Sequence, residues 1–178
     1  MRRRGAAGQV AYPAILSALA LMLVYLSCVT PTGSWGIVAA AGLLPAAAVI
    51  SVSLTAGFLC WAAAAVLAFL LAPDKFCALL FGVLFGLYPM VKSLVERLRK
   101  KPLEYVLKLA FFNVSFTVIC LTMAAAVTAS LPQALGSSVW ILYGAANVVF
   151  LLYDYGFSKL IALYINRIQR VIHGKAGE

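Results

Sequence analysis

The chain alternates long apolar runs with short polar interruptions, and the runs have the length of membrane spans rather than of strands or core helices. A helix needs about 20 mostly apolar residues to cross a hydrocarbon layer about 30 Å thick. Reading the runs in order predicts six spans, at about 11–29, 37–52, 54–71, 76–91, 103–129 and 139–163. Turn-forming clusters separate most of them, as at Thr30-Pro31-Thr32-Gly33-Ser34 and Pro73-Asp74-Lys75. Pro13 falls in the first turn of the first span, where a missing N–H costs little. Pro45 lies inside the second span and predicts a kink there. The join between spans two and three is marked only by Ser51, Ser53, Thr55 and Gly57. The polar run 92–101 predicts a helix that continues beyond the fourth span until Pro102.

Composition supports this reading. Of the 178 residues, 65% are hydrophobic and only 11% charged, where a soluble domain carries about a quarter charged. The mean hydropathy is +1.03. The expected fold is all-α: one polytopic bundle of six transmembrane helices filling 1–178 as a single domain. The opening Met1-Arg2-Arg3-Arg4 before an apolar run has the look of a signal peptide, but the run is too long, and a retained first helix is expected.

Charge then sets the orientation. The net charge is +9. Lys and Arg collect at the amino end (Arg2, Arg3, Arg4), after the fourth span (Lys92, Arg97, Arg99, Lys100, Lys101), near the start of the fifth (Lys108) and in the tail (Lys159, Arg167, Arg170, Lys175), with only Lys75 on the opposite side. Basic residues stay cytoplasmic in multi-pass proteins, so both termini are expected inside, with the protein in the cell (plasma) membrane. The same charges are expected to meet anionic membrane lipid rather than nucleic acid, which would require a basic soluble face.

Catalytic patterns are absent from the sequence. There is no GxSxG, no HExxH and no GxxxxGK[ST]. The one histidine, His173, lies in the tail, and the five acidic residues are dispersed. Cys28, Cys60, Cys77 and Cys120 have no CxxC spacing and are expected to pack as soft apolar side chains. The sequence therefore implies a non-enzyme with no cofactor and no metal.

Three groups of residues are candidates for function. Ala14 and Ala18 form an AxxxA step in the first span, and Gly82 and Gly86 a GxxxG step in the fourth. Small residues one turn apart let helix backbones approach, either within this bundle or onto a partner subunit. Tyr143, Asn147 and Asp154 share one stripe of the sixth span. A carboxylate at membrane depth is costly and seeks a cation, so Asp154 is expected to join Lys92, Lys108 and Asn113 in a polar cluster between spans four, five and six. That cluster serves either as a structural ion pair, as a coupling site or as a partner contact. At the opposite end Tyr25, Thr30, Thr32, Ser34, Trp35, Asp74, Lys75, Gln133, Ser137, Ser138 and Trp140 bring aromatic and polar groups together, as either a small-molecule pocket or an interfacial belt.

With six spans, both ends inside and Ala14 and Ala18 placed on the first helix, the layout resembles the substrate-binding S component of energy-coupling factor (ECF) vitamin transporters. The resemblance implies that Ala14 and Ala18 dock on an ECF coupling subunit, that separate ATPases drive transport, and that the 30–36 loop closes over a vitamin or other nutrient. Substrate contacts are then expected from Tyr25, Trp35, Tyr143 and Asn147. The stretch 88–98 and Tyr153-Asp154 are also similar to small membrane proteins of Gram-positive bacteria whose resemblance implies no activity. The alternative reading is a structural or regulatory membrane protein that holds lipid or a partner through its basic linker and tail.

Overall fold

In the computed structural model the chain is helical throughout the residues described, which are 6–30, 32–98, 100–124 and 139–174, and no strand occurs among them. Six stretches are long and apolar enough to cross a membrane: Val10–Val29, Ser34–Ser51, Leu54–Leu71, Lys75–Glu96, Lys101–Thr122 and Trp140–Asn166. The protein is thus an all-α, multi-pass membrane protein. The chain divides into two compact units, Met1–Ser137 and Ser138–Glu178.

The first unit starts with α1 (Ala6–Val29), followed by α2 (Ser34–Ala41) and α3 (Leu43–Ser51), which together make the second span. Next come α4 (Leu54–Leu71) and α5 (Lys75–Leu79), a π-helical segment (Leu80–Phe85), α6 (Tyr88–Glu96) and α7 (Lys101–Thr122). Gly33 supplies the positive φ of 78° that the turn into α2 requires.

The second span breaks at Gly42, three residues before its proline. A proline at position 45 cannot donate to the carbonyl of Ala41, and its ring crowds that carbonyl. The break therefore falls one turn upstream of Pro45. Gly42 is also needed there for space, because a Cβ on it would lie 2.5 Å from the carbonyl oxygen of Phe85 in the fourth span.

The join between spans two and three is only Val52-Ser53. Ser53 is the N-cap of α4, its hydroxyl accepting from the Ala56 N–H at 3.1 Å. A side chain at Gly57 would overlap Val49, so glycine brings α3 and α4 together. Behind this contact Leu16, Ala48 and Cys60 form a small-residue core shared by α1, α3 and α4.

The turn before α5 is held from both sides. Asp74 caps α5, its Oδ1 accepting from the Phe76 N–H at 2.8 Å. The Lys75 ammonium reaches back to the carbonyls of Phe69 and Ala72, at 2.8 and 2.9 Å, and satisfies the end of α4.

The fourth span is the most enclosed, with 67% of its apolar window buried. Its π segment packs against α2, α4 and α7, and α6 packs against α3, α4 and α7. It continues past 91 as expected but stops at Glu96, short of Pro102; α7 begins at Lys101, so Pro102 lies in the first turn of the next helix, where its missing N–H costs little, rather than ending this one. The fifth span differs from its expected extent at the far end: α7 stops at Thr122, and 125–129 lie outside the described residues. The second unit is a single helix, α8 (Val139–Gly174), whose 36 residues run on beyond its apolar window.

Candidate functional site

Three places in the first unit hold most of the residues that the sequence singles out; Tyr143, Asn147 and Asp154 belong to the second unit. The first is the end of the fourth span where α6 turns into α7. Lys92 from α6 and Lys108 from α7 converge on a single oxygen, Oε1 of Glu96, at 3.1 and 3.0 Å. The two lysine side chains are only 4% and 8% exposed, while that of Glu96 is 47% exposed. The Lys92 ammonium also sits 5.8 Å from the ring centroid of Tyr88, a fully buried residue whose ring meets Phe111. Buried ammonium groups need a compensating negative partner, and the carboxylate supplies it to two helices at once.

The sequence places Glu96 on the same face of the fourth span as Tyr88 and Lys92, although the expected cluster named Lys92, Lys108, Asn113 and Asp154 without it. The signal for it was local: Lys92 and Glu96 are four apart on one helix, where side chains meet. Asn113 has its amide nitrogen on the carbonyl of Leu109, at 2.8 Å, and its own carbonyl accepts from Thr117 at 2.7 Å. Asp154 belongs to the second unit. Within α8 its carbonyl accepts from Ser158 at 2.8 Å, and the ring of Tyr153 lies against Phe157.

The second place is α1. Its inward stripe is Leu16, Ser17, Ala20, Val24 and Ser27. Both hydroxyls bond within the helix, Ser17 to the carbonyl of Ala14 at 2.8 Å and Ser27 to that of Val24 at 2.6 Å. Ala14 and Ala18 face the other way and are exposed, together with Ile15, Leu19 and Met22. No described element of the first unit covers them. The GxxxG step behaves oppositely. Gly82 faces Ala65 and Phe69 of α4, and Gly86 lies against Trp61 of the same helix. One small-residue step thus serves packing inside the unit and the other is left open.

The third place is the Lys75 end. The ring of Trp35 packs on Phe76 at 5.9 Å. The Cys77 thiol donates to Oδ2 of Asp74 at 3.2 Å, and the Cys28 thiol to the carbonyl of Val24 at 3.2 Å. All four cysteines are free thiols. Tyr25 is 50% exposed. Tyr143 and Asn147 lie on α8, in the second unit, joined by a bond from the Asn147 amide to the Tyr143 carbonyl at 2.8 Å. Thr32 belongs to the turn before α2 and Ser34 is the first residue of that helix; Gln133, Ser137 and Ser138 lie outside the described residues. No group of His, Cys, Asp and Glu fit to hold a metal ion occurs among the described residues.

No protein-family model, no curated protein and no solved structure matches the chain.

Proposed function

We propose that this chain is the substrate-capturing membrane subunit of a multi-subunit importer of the ECF type. In this reading it lies in the plasma membrane with both termini cytoplasmic, and α1 is its docking helix. The observation that carries the reading is the uncovered AxxxA step. Lipid tails are as apolar as leucine, so an exposed small-residue stripe gains nothing from lipid, but it permits close approach of another helix backbone. The chain then needs no ATP site of its own, since a separate ATPase pair does the work. Capture of a small nutrient would fall to the end that carries Trp35, and reorientation in the bilayer would deliver it.

A second reading has its own support. Leu94 and Leu98 are exposed beside Arg97, Lys100 and Lys101, which are exposed as well. Apolar side chains interleaved with cations fit the boundary of an anionic leaflet. In that reading the chain is a structural or regulatory protein that holds lipid or a cytoplasmic partner at the α6–α7 junction.

One purification separates the two. The tagged protein is isolated from its own host membranes in mild detergent, beside Ala14→Leu/Ala18→Leu and a control at an exposed position of α4, Val66→Leu. The importer reading expects a membrane coupling protein with ATPase subunits, and a loss of about tenfold or more on replacing the alanines, since two leucines hold the backbones apart. The control should keep the complex. Isolation of the chain without ATPase subunits, or with the same subunits regardless of Ala14 and Ala18, rejects docking through α1. Anionic lipid lost on Arg97→Gln/Lys100→Gln/Lys101→Gln would then favour the second reading.

A further inference from the structure

We propose that the π segment of the fourth span is a register switch, held in its wide form by the Trp61 indole, which couples the Lys75 end of that span to its Lys92 end. The inference goes beyond the importer reading and requires neither a ligand nor a docking partner.

One carbonyl decides the register of the span. In an α-helix the N–H of residue 86 would donate to the carbonyl of residue 82. Here the Gly86 N–H donates instead to Phe81, at 2.8 Å. The carbonyl of Gly82 accepts from the indole Nε1–H of Trp61, at 2.9 Å. The indole therefore takes the acceptor that the α-helical form would use. The ring also takes the space: a Cβ at position 86 would lie 2.6 Å from Cδ1 of Trp61 and 2.8 Å from the Phe81 oxygen. Phe58 packs against Trp61 at 5.0 Å and fixes the ring's position.

The break is bounded on its other side. Pro89 has no N–H, so the usual bond to the Phe85 carbonyl is absent in either register. The helix restarts with Met90 and Val91 both donating to Leu87, at 3.1 and 3.2 Å. Only the few bonds between Phe81 and Leu87 need to be exchanged. Closing the wide turn to α geometry would rotate one half of the span against the other by about 100° and shift it by about 1.5 Å, the step of a single residue.

Both halves are tied to their neighbours. At one end the ring of Phe76 lies on Trp35 of α2. At the other end Glu96 is bonded to Lys108 of α7. A rotation in the middle must release one of these ties. The span then has two discrete arrangements rather than a continuous range. Whatever holds either end in one arrangement selects the register, and so acts on the other end. π turns of this kind recur at functional sites in helices.

The test uses the full chain in lipid nanodiscs and its own cysteines. Peptide-resolved maleimide labelling reads Cys77, on the rotating half. Cys60, buried in the core with Leu16 and Ala48, is the reference. Trp61→Phe keeps the ring and removes the donor, and Gly86→Ala fills the space that only the wide turn needs empty. Each should raise Cys77 labelling about tenfold, as expected when a closed population becomes mixed, with Cys60 unchanged. Lys108→Met, at the far end, should also raise Cys77 labelling, and should add nothing further in Trp61→Phe, the non-additivity of two groups acting on one equilibrium. Unchanged Cys77 in both Trp61→Phe and Gly86→Ala overturns the switch. So does a parallel rise of Cys60, or an independent, additive effect of Lys108→Met. If Trp61→Phe does not accumulate in membranes, Gly86→Ala alone and combined with Lys108→Met gives the same decision.

Discussion

Gly42→Val should lower the stability of the protein by about 3 kcal/mol, the upper end of what forced overpacking costs. The added Cβ meets the Phe85 carbonyl at 2.5 Å. The obstacle is backbone on both sides: a flexible side chain could swing away, but the carbonyl belongs to the span at the centre of the unit. Relief requires separating the second span from the fourth, which opens the contact between α2 and the π segment. Gly36→Ala is the matched control. It lies in α2 too, and nothing stands within 4 Å of its added Cβ. Exchange of glycine for alanine in a helix favours the helix by up to about 1 kcal/mol, so the control should be neutral or slightly stabilising. Thermal unfolding in one detergent, followed by static light scattering or by fluorescence, checks the pair. Equal midpoints for Gly42→Val and Gly36→Ala would show that spans two and four do not meet at this point.

The second large effect is expected at Glu96. Glu96→Leu removes the oxygen that Lys92 and Lys108 share, and so takes away a negative partner from two buried ammonium groups. Removing one side of a buried ion pair costs about 3–5 kcal/mol. Glu96 is itself 47% exposed, so solvent screens part of the interaction and about 2 kcal/mol is expected. Replacing both lysines by methionine in the Glu96→Leu background should recover most of the loss, because the buried charges that Glu96 balanced are then gone. The double and triple variants measured by the same unfolding assay supply the check. A Glu96→Leu protein as stable as the parent would mean that the lysines are balanced elsewhere and that Glu96 is a bystander.

Much of the architecture was legible in the sequence because the bilayer imposes a single length scale. Six apolar runs of about 20 residues became six helices of that size, and even the obscure join at Ser51–Gly57 lies where hydroxyl residues gather, with Ser53 acting as a cap. What stayed hidden depends on three-dimensional neighbours. Pro45 announced a kink, but its position at Gly42 follows from where the proline ring collides and from which backbone lies opposite. The π turn at Leu80–Phe85 left no local mark, since its cause is an indole 21 residues earlier in the chain bonding across to Gly82. The two small-residue steps were equal as sequence, and only the packing separates the buried Gly82–Gly86 pair from the open Ala14–Ala18 pair. In the charged cluster the lysines were visible as anomalies within apolar runs. Glu96 shares a face of the fourth span with Lys92 and Tyr88 in the sequence, but its place in a polar linker gave no sign that it would serve two lysines at once.

The enclosure of the fourth span has a consequence for biogenesis. Polypeptides enter the membrane in the order of their synthesis, amino end first. The three spans that precede it must therefore reach the bilayer before the segment they surround exists. Until Lys75–Glu96 is made, the notch at Gly42 and the free indole of Trp61 face lipid or the insertion machinery, with no native acceptor in place. Assembly of this protein thus waits on its middle, and a nascent chain arrested before residue 96 should remain a loose, protease-sensitive hairpin array.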